Sequence, residues 1–196
     1  MFKRLFDIVS ALFGFITLFP LFLLVSLLIV VDSRGGIFYR QIRVGKGGKD
    51  FKLIKFRTMF ADADKKGLLT VGMKDSRVTK AGCYLRKYKL DEFPQLLNVL
   101  MGDMSIVGPR PEVRKYVDMY SVEQQKILDV KPGITDYASI EFANENELLG
   151  RVNNPEEVYI NEIMPAKLNL NLKYIRDQSF ATDLKIIFRT LRQIIT

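Results

Sequence analysis

The chain has 196 residues, enough for one domain with its own core, and 30 basic against 22 acidic residues give it a formal net charge of +8. That charge points to an acidic partner: nucleic acid, an anionic membrane surface or a phosphorylated ligand. Histidine is absent and Cys83 is the only cysteine, which excludes Ser-His-Asp and Cys-His catalysis, an internal disulfide and a thiolate zinc cluster, and fits a reducing, cytoplasmic-side setting.

Residues 8–31 read IVSALFGFITLFPLFLLVSLLIVV, an uncharged run whose helix would reach about 36 Å, enough for a hydrocarbon core of about 30 Å. It is too long for a secretory signal and lacks a small-residue cleavage site. Pro20 near its middle removes a backbone donor and predicts a bend. Lys3 and Arg4 precede the run, and Arg34, Arg40, Arg43 and Lys46 follow it, so both flanks favour the cytoplasmic side. A helix-break-helix that enters and leaves by one face satisfies both flanks; a kinked spanning anchor is the alternative.

Residues 37–59 alternate apolar and basic side chains around Gly45, Gly47 and Gly48, predicting a β-hairpin or two short strands. The GKGG turn lacks the spacing and the Ser or Thr of a phosphate loop. Residues 61–79 read as a polar surface excursion. Residues 81–101 read as two helical pieces, with Asp91, Glu92 and Pro94 at the start of the second and Leu96, Leu97 and Leu100 on its buried stripe. Residues 102–111, GDMSIVGPRP, read as loop, followed by a helix over 111–130, a KPGIT turn, a polar stretch to about residue 154, and two final helices. In the last of these Leu184, Ile187, Phe188, Leu191, Ile194 and Ile195 share a face, with Lys185, Arg189 and Arg192 off it. That helix either lies in a membrane interface or packs on the core.

Asp91 and Glu92 at a helix start can serve as nucleophile and cation ligand, or merely cap the helix. Arg110, stiffened between Pro109 and Pro111, presents a planar fork suited to phosphate oxygens, or is a solvated turn residue. Arg86, Lys55, Arg57 and Lys131 add positive charge that is equally compatible with surface solvation.

KFRTM at residues 55–59, LDEFPQLLNVLMGDMSIVGPRP at 90–111 and KPGIT at 131–135, extended by FYRQIRVG at 38–45 and DLKIIFRT at 183–190, carry a resemblance over nearly the whole chain. The chain resembles the bacterial monotopic phosphoglycosyl transferases, the initiating sugar transferases of capsule, exopolysaccharide and glycoprotein glycan assembly. The resemblance implies an α+β, mostly helical fold: a re-entrant membrane helix over residues 1–33 and a compact cytoplasmic catalytic unit over 34–196, with a small β-hairpin and C-terminal interfacial helices. It implies that Asp91 attacks the sugar-bearing phosphorus of a UDP-sugar, expels UMP and carries a phosphosugar to polyprenyl phosphate. Asp91 and Glu92 would hold Mg2+, while Arg86, Arg110, Lys131, Lys55 and Arg57 would bind phosphate or substrate. The setting implied is the bacterial inner membrane, catalytic unit on the cytoplasmic face, with membrane lipid as a further partner.

Phosphoryl transfer needs mainly positioning and charge neutralisation, which a cation and arginines supply without histidine. Three positions depart from the family pattern. Phe19-Pro20 replaces a common Ser-Pro at the membrane break, Lys131 replaces an arginine, and Asp136 replaces a glycine, the last implying altered sugar selection. The rival reading is a non-catalytic membrane-anchored scaffold binding anionic lipid or a partner enzyme, which leaves Asp91, Glu92 and the Gly-Pro-Arg-Pro loop unexplained. A nucleic-acid binder is disfavoured, because no recognisable module interleaves the basic residues with aromatics.

Overall fold

The computed structural model describes residues 2–61, 63 and 75–195. The expected surface excursion over 61–79 falls mostly outside the described residues. The first element, helix α1 (Phe2–Asp32), is one continuous helix with Pro20 inside it. Its buried residues Asp7, Ala11, Phe22, Val25 and Ile29 follow helical spacing and form the face turned to the protein. The opposite face exposes Leu12, Phe13, Ile16, Phe19, Leu23, Leu24 and further large apolar residues. Fourteen such exposed side chains along α1 would cost on the order of 20 kcal/mol if left in water, more than a domain's whole stability. A non-aqueous cover such as lipid is what this face requires.

Strands β1 (Phe38–Val44) and β2 (Asp50–Phe56) form the expected antiparallel hairpin, with Phe38 opposite Phe56 and Val44 opposite Asp50. Its turn uses Gly47 and Gly48 at φ +68° and +71°, a region that suits glycine. Helix α2 (Lys80–Lys87) follows, started by the Thr79 side chain, which accepts from the Gly82 N–H at 3.0 Å. A single 3-10 turn, Leu90–Glu92, then leads to α3 (Gln95–Met101), so the two adjacent carboxylates sit just ahead of α3 rather than in its first turn. Asn98, fully buried, anchors α3 on the hairpin: its side chain accepts from Ile54 N–H and donates to the Lys52 carbonyl.

The region read as loop contains a short strand, β3 (Ser105–Val107), and the expected KPGIT turn runs on into β4 (Gly133–Thr135), which pairs with β3 in parallel. Glycines permit this: an added Cβ on Gly133 would lie 2.1 Å from the Gly108 nitrogen, and one on Gly108 would lie 2.5 Å from the Lys131 carbonyl oxygen. The long helix expected over 111–130 is reduced to α4 (Arg114–Val117) and a 3-10 segment, Gln124–Asp129. Glu112 explains part of this, because its carboxylate accepts from Arg43 and Tyr159 and holds the chain extended before Val113.

Short helices α5 (Tyr137–Glu141), α6 (Glu145–Leu149) and α7 (Pro155–Val158) precede a π-turn at Tyr159–Ile163 and helix α8 (Met164–Arg176). Helix α9 (Phe180–Ile195) closes the chain. The core-packing reading of α9 holds for one face, where Asp183 and Ile186 are buried; its other face exposes Phe180, Leu184, Phe188 and Leu191. The fold is mostly helical with two small sheets.

Candidate active site

The dyad turn Leu90–Glu92 is held from three sides. Strand β2 brings Lys55, whose ammonium donates to Glu92 Oε1 at 3.0 Å. The loop after β3 brings Arg110, whose Nη1 donates to Glu92 Oε2 at 3.0 Å while Nη2 bonds Oε1. Helix α2 brings Arg86, whose Nε donates to the Thr58 hydroxyl at 2.9 Å and whose charge acts on Asp91. Gly82 lets α2 approach this closely, since a Cβ there would meet the Thr58 carbonyl oxygen at 2.1 Å. Arg110 is itself anchored: its backbone N–H donates to Asp136 Oδ2 at 3.0 Å, while Asp136 Oδ1 caps α5 through Ser139 N–H.

The two adjacent carboxylates are in different electrostatic states. Burial alone would raise Glu92, but the charges and hydrogen bonds of Arg110 and Lys55 override it and hold Glu92 well below the usual carboxylate range. The Arg110 guanidinium is correspondingly stabilised in its charged form, chiefly by Glu92. Asp91 is only 8 % exposed and its carboxylate makes no hydrogen bond among the described residues. Burial raises its pKa, with Lys55 opposing and the neighbouring Glu92 adding to the rise. Burial also lowers the Arg86 pKa, opposed by Asp91 and Asp75. A site with one locked carboxylate, one unbonded carboxylate and surrounding cations can bind an anion and offer a nucleophile to it.

Of the residues singled out in the sequence, Asp91, Glu92, Lys55, Arg86 and Arg110 come together here. Arg57 does not: it is 8 % exposed and donates to the Gly36 carbonyl at 2.6 Å, the Ser33 carbonyl at 2.7 Å and the Ser33 hydroxyl at 2.8 Å, capping the end of α1. Lys131 does not either. It lies near Gly102 at the end of α3, among the charges of Arg4, Asp7, Lys46 and Asp103. A cation at a helix C-terminus is favourable on its own account. Lys89, which the sequence did not single out, does belong here, among the charges of Arg110, Glu92, Asp91 and Lys55. Behind Arg110 a cleft of about 20 Å³, lined by Tyr120, Tyr159, Lys167 and Asn171, has room for about one water.

No group of three or more potential protein ligands for a metal occurs among the described residues. Two carboxylates nevertheless fit magnesium, which commonly takes one or two carboxylates and completes its shell with phosphate oxygens and water.

Chain-wide similarity agrees with a transferase. The family model described as bacterial sugar transferase matches residues 1–196. The chain belongs to the bacterial sugar transferase family.

Its relatives include the uncharacterized sugar transferase EpsL of Bacillus subtilis (strain 168), 37% identical over 193 residues, covering 98% of this chain and 87% of that protein. The UDP-glucose:undecaprenyl-phosphate glucose-1-phosphate transferase of Caulobacter vibrioides is 37% identical over 197 residues, covering 99% of this chain and 70% of that protein. The UDP-N-acetylgalactosamine-undecaprenyl-phosphate N-acetylgalactosaminephosphotransferase of Aeromonas hydrophila is 36% identical over 197 residues. The chain spans 44% of the length of that last relative.

Proposed function

We propose that this enzyme transfers a sugar 1-phosphate from a UDP-sugar to polyprenyl phosphate, in the first membrane step of polysaccharide or glycoconjugate assembly. The observation that carries the reading is Asp91, buried and without a hydrogen bond among the described residues, beside a Glu92 locked by Arg110 and Lys55. The substrates printed in the names of the Caulobacter and Aeromonas relatives support the pair of ligands.

Asp91 attacks the phosphorus bearing the sugar, forming a P–O bond to its carboxylate as the bond to the bridging oxygen breaks, and UMP leaves with that oxygen. The acceptor phosphate, largely dianionic at neutral pH with a second pKa of about 6, then attacks the same phosphorus and regenerates Asp91. Arg110, Lys55 and Arg86 neutralise charge on the phosphate oxygens; Arg110 is held for this by Asp136 and Glu92. Magnesium held by Asp91 and Glu92 would neutralise the diphosphate, and Glu92 retains lone-pair capacity beyond its bonds to Arg110 and Lys55.

Residues 1–33 form a re-entrant membrane segment on this reading and residues 34–196 the catalytic unit on the cytoplasmic face of the inner membrane. Its support is that both ends of α1 are tied to the same body. At the first turn Lys3 donates to the Val107 carbonyl at 3.1 Å, Arg4 to those of Val99 and Leu100, and Asp7 accepts from Ser105 and Ile106. At the far end Arg57 holds Ser33, and Asp32 accepts from Ala81 N–H at 3.1 Å. Between them, residues 12–21 include none that is fully buried, so the apolar middle is left for lipid. Single cysteines at Lys3→Cys and Arg40→Cys in intact cells are labelled only after the membrane is opened if this holds; labelling of one from outside sinks it.

The deciding test is UMP release from a panel of UDP-sugars by purified protein with magnesium and polyprenyl phosphate, comparing wild type with Asp91→Asn. Release by wild type alone is expected and identifies the sugar. Equal release by both overturns the role of Asp91, and release by neither, from folded protein, overturns the transferase reading.

A further inference from the structure

Lys89 joins α2 to the dyad turn. Its N–H donates to the Arg86 carbonyl at 3.2 Å and its carbonyl accepts from the Glu92 N–H at 3.3 Å, so one residue links an arginine of the site to a carboxylate of the site. It is the only non-glycine residue at positive φ among the described residues, at +56°. A left-handed residue just past a helix end is ordinarily glycine, because a side chain there is strained. A strained, side-chain-bearing residue beside a reacting group is a pointer to use of that side chain.

The charges around it point the same way. Lys55 and Arg110 are both hydrogen-bonded to Glu92, and Arg86 to Thr58, so each already has a protein partner. The Lys89 ammonium makes no hydrogen bond or ion pair among the described residues, and Lys89 is exposed. It nevertheless feels Arg110, Glu92, Asp91 and Lys55. Four cations thus face two carboxylates, and the excess positive charge includes a flexible ammonium with no partner among the described residues. Such a group is a point-charge ligand for a phosphate oxygen.

We infer that Lys89 binds a phosphate group of a substrate at the dyad, its left-handed backbone being retained because a lysine side chain is needed where glycine would fold more easily. This rests on the transferase reading, in which the phosphate is either the donor diphosphate or the acceptor monophosphate. The strain and the free ammonium are independent observations that converge on one residue.

The test compares Lys89→Gly, Lys89→Asn and Lys89→Arg with wild type in steady-state UMP release and thermal unfolding, together with equilibrium binding of UDP and of a short-chain polyprenyl phosphate in detergent. Glycine and asparagine tolerate positive φ, so both variants should unfold at or above the wild-type temperature. Each should raise the KM for one phosphate substrate about tenfold, the size expected for one charge-assisted bond, with kcat within about twofold, and Lys89→Arg should restore most of it. A rise confined to the UDP-sugar, with weaker UDP binding, assigns the donor; a rise confined to polyprenyl phosphate, with weaker binding of that lipid, assigns the acceptor. Unchanged KM and binding for both overturn the inference. So does a lowered unfolding temperature with a parallel loss of kcat, which marks Lys89 as a hinge alone. If wild type binds UDP yet releases no UMP, the transferase reading falls, while the binding measurements still decide whether Lys89 holds a phosphate.

Discussion

Arg110 and Glu92, 18 residues apart in sequence, meet fork to fork: Nη1 donates to Oε2 at 3.0 Å and Nη2 to Oε1. This pair closes the Gly-Pro-Arg-Pro loop onto the dyad turn and leaves Asp91 as the carboxylate without a hydrogen-bond partner among the described residues. A lysine would keep the charge and lose the second bond. Arg110→Lys is therefore expected to lower kcat/KM by about 10- to 100-fold, the loss of one or two charge-assisted bonds, in an assay of UMP release. An unchanged kcat/KM would mean that the pair only braces the loop.

Arg57 behaves oppositely, because its guanidinium is engaged with carbonyls at the end of α1. Arg57→Met should lower unfolding free energy by about 3 kcal/mol, since the charge-assisted bonds of the buried guanidinium to the Ser33 and Gly36 carbonyls are lost, while leaving KM for the UDP-sugar unchanged in the folded protein. Denaturant unfolding in detergent, set beside KM, separates this from a substrate-binding role.

Glu112 sets a pH dependence of stability. Burial would raise its carboxyl, but Arg43, Lys167 and Tyr159 hold it below the usual range in the folded protein. Its contribution is present above the unfolded value of about 4.3 and is lost as pH falls through the lower folded value. Glu112→Gln should reduce the melting temperature most at neutral pH, with the difference from wild type shrinking below about pH 4. A difference independent of pH would assign the loss to packing.

Gly133 and Gly108 permit the parallel contact of β3 with β4, and backbone atoms already occupy the place of a Cβ. Gly133→Ala should cost about 3 kcal/mol or more and reduce activity as well, because Gly108 lies two residues before Arg110. Gly47→Ala, with open space around it but φ at +68°, should cost only about 1 kcal/mol. Equal melting temperatures for the two variants would contradict this account of the sheet.

The hairpin and the two pieces around residues 81–101 were legible because alternation and helical spacing are local signals. The carboxylates were legible as a pair, but their unequal states were not, since those come from Lys55 and Arg110 arriving from distant elements. The same limit hid where Arg57 and Lys131 lie, at the ends of α1 and α3: a positive residue in a motif does not reveal which element its partner comes from. The helix expected over 111–130 failed because Glu112 is bonded across the fold to Arg43 and Tyr159. KPGIT could not be seen as a strand, because its parallel partner lies near residue 106 and only glycine-to-glycine contact permits the pairing. Lys89 had one faint sign, a lysine directly after a helix end, where glycine is usual.

Lys3, in the first turn of the chain, is bonded to Asp183, 180 residues later. During synthesis the apolar helix emerges long before its ionic partner Asp183 exists. Helix α1 and the rest of the fold are thus joined by a latch that closes only after residue 183 is made, so a product truncated before Asp183 would keep α1 but leave its basic first turn unfastened.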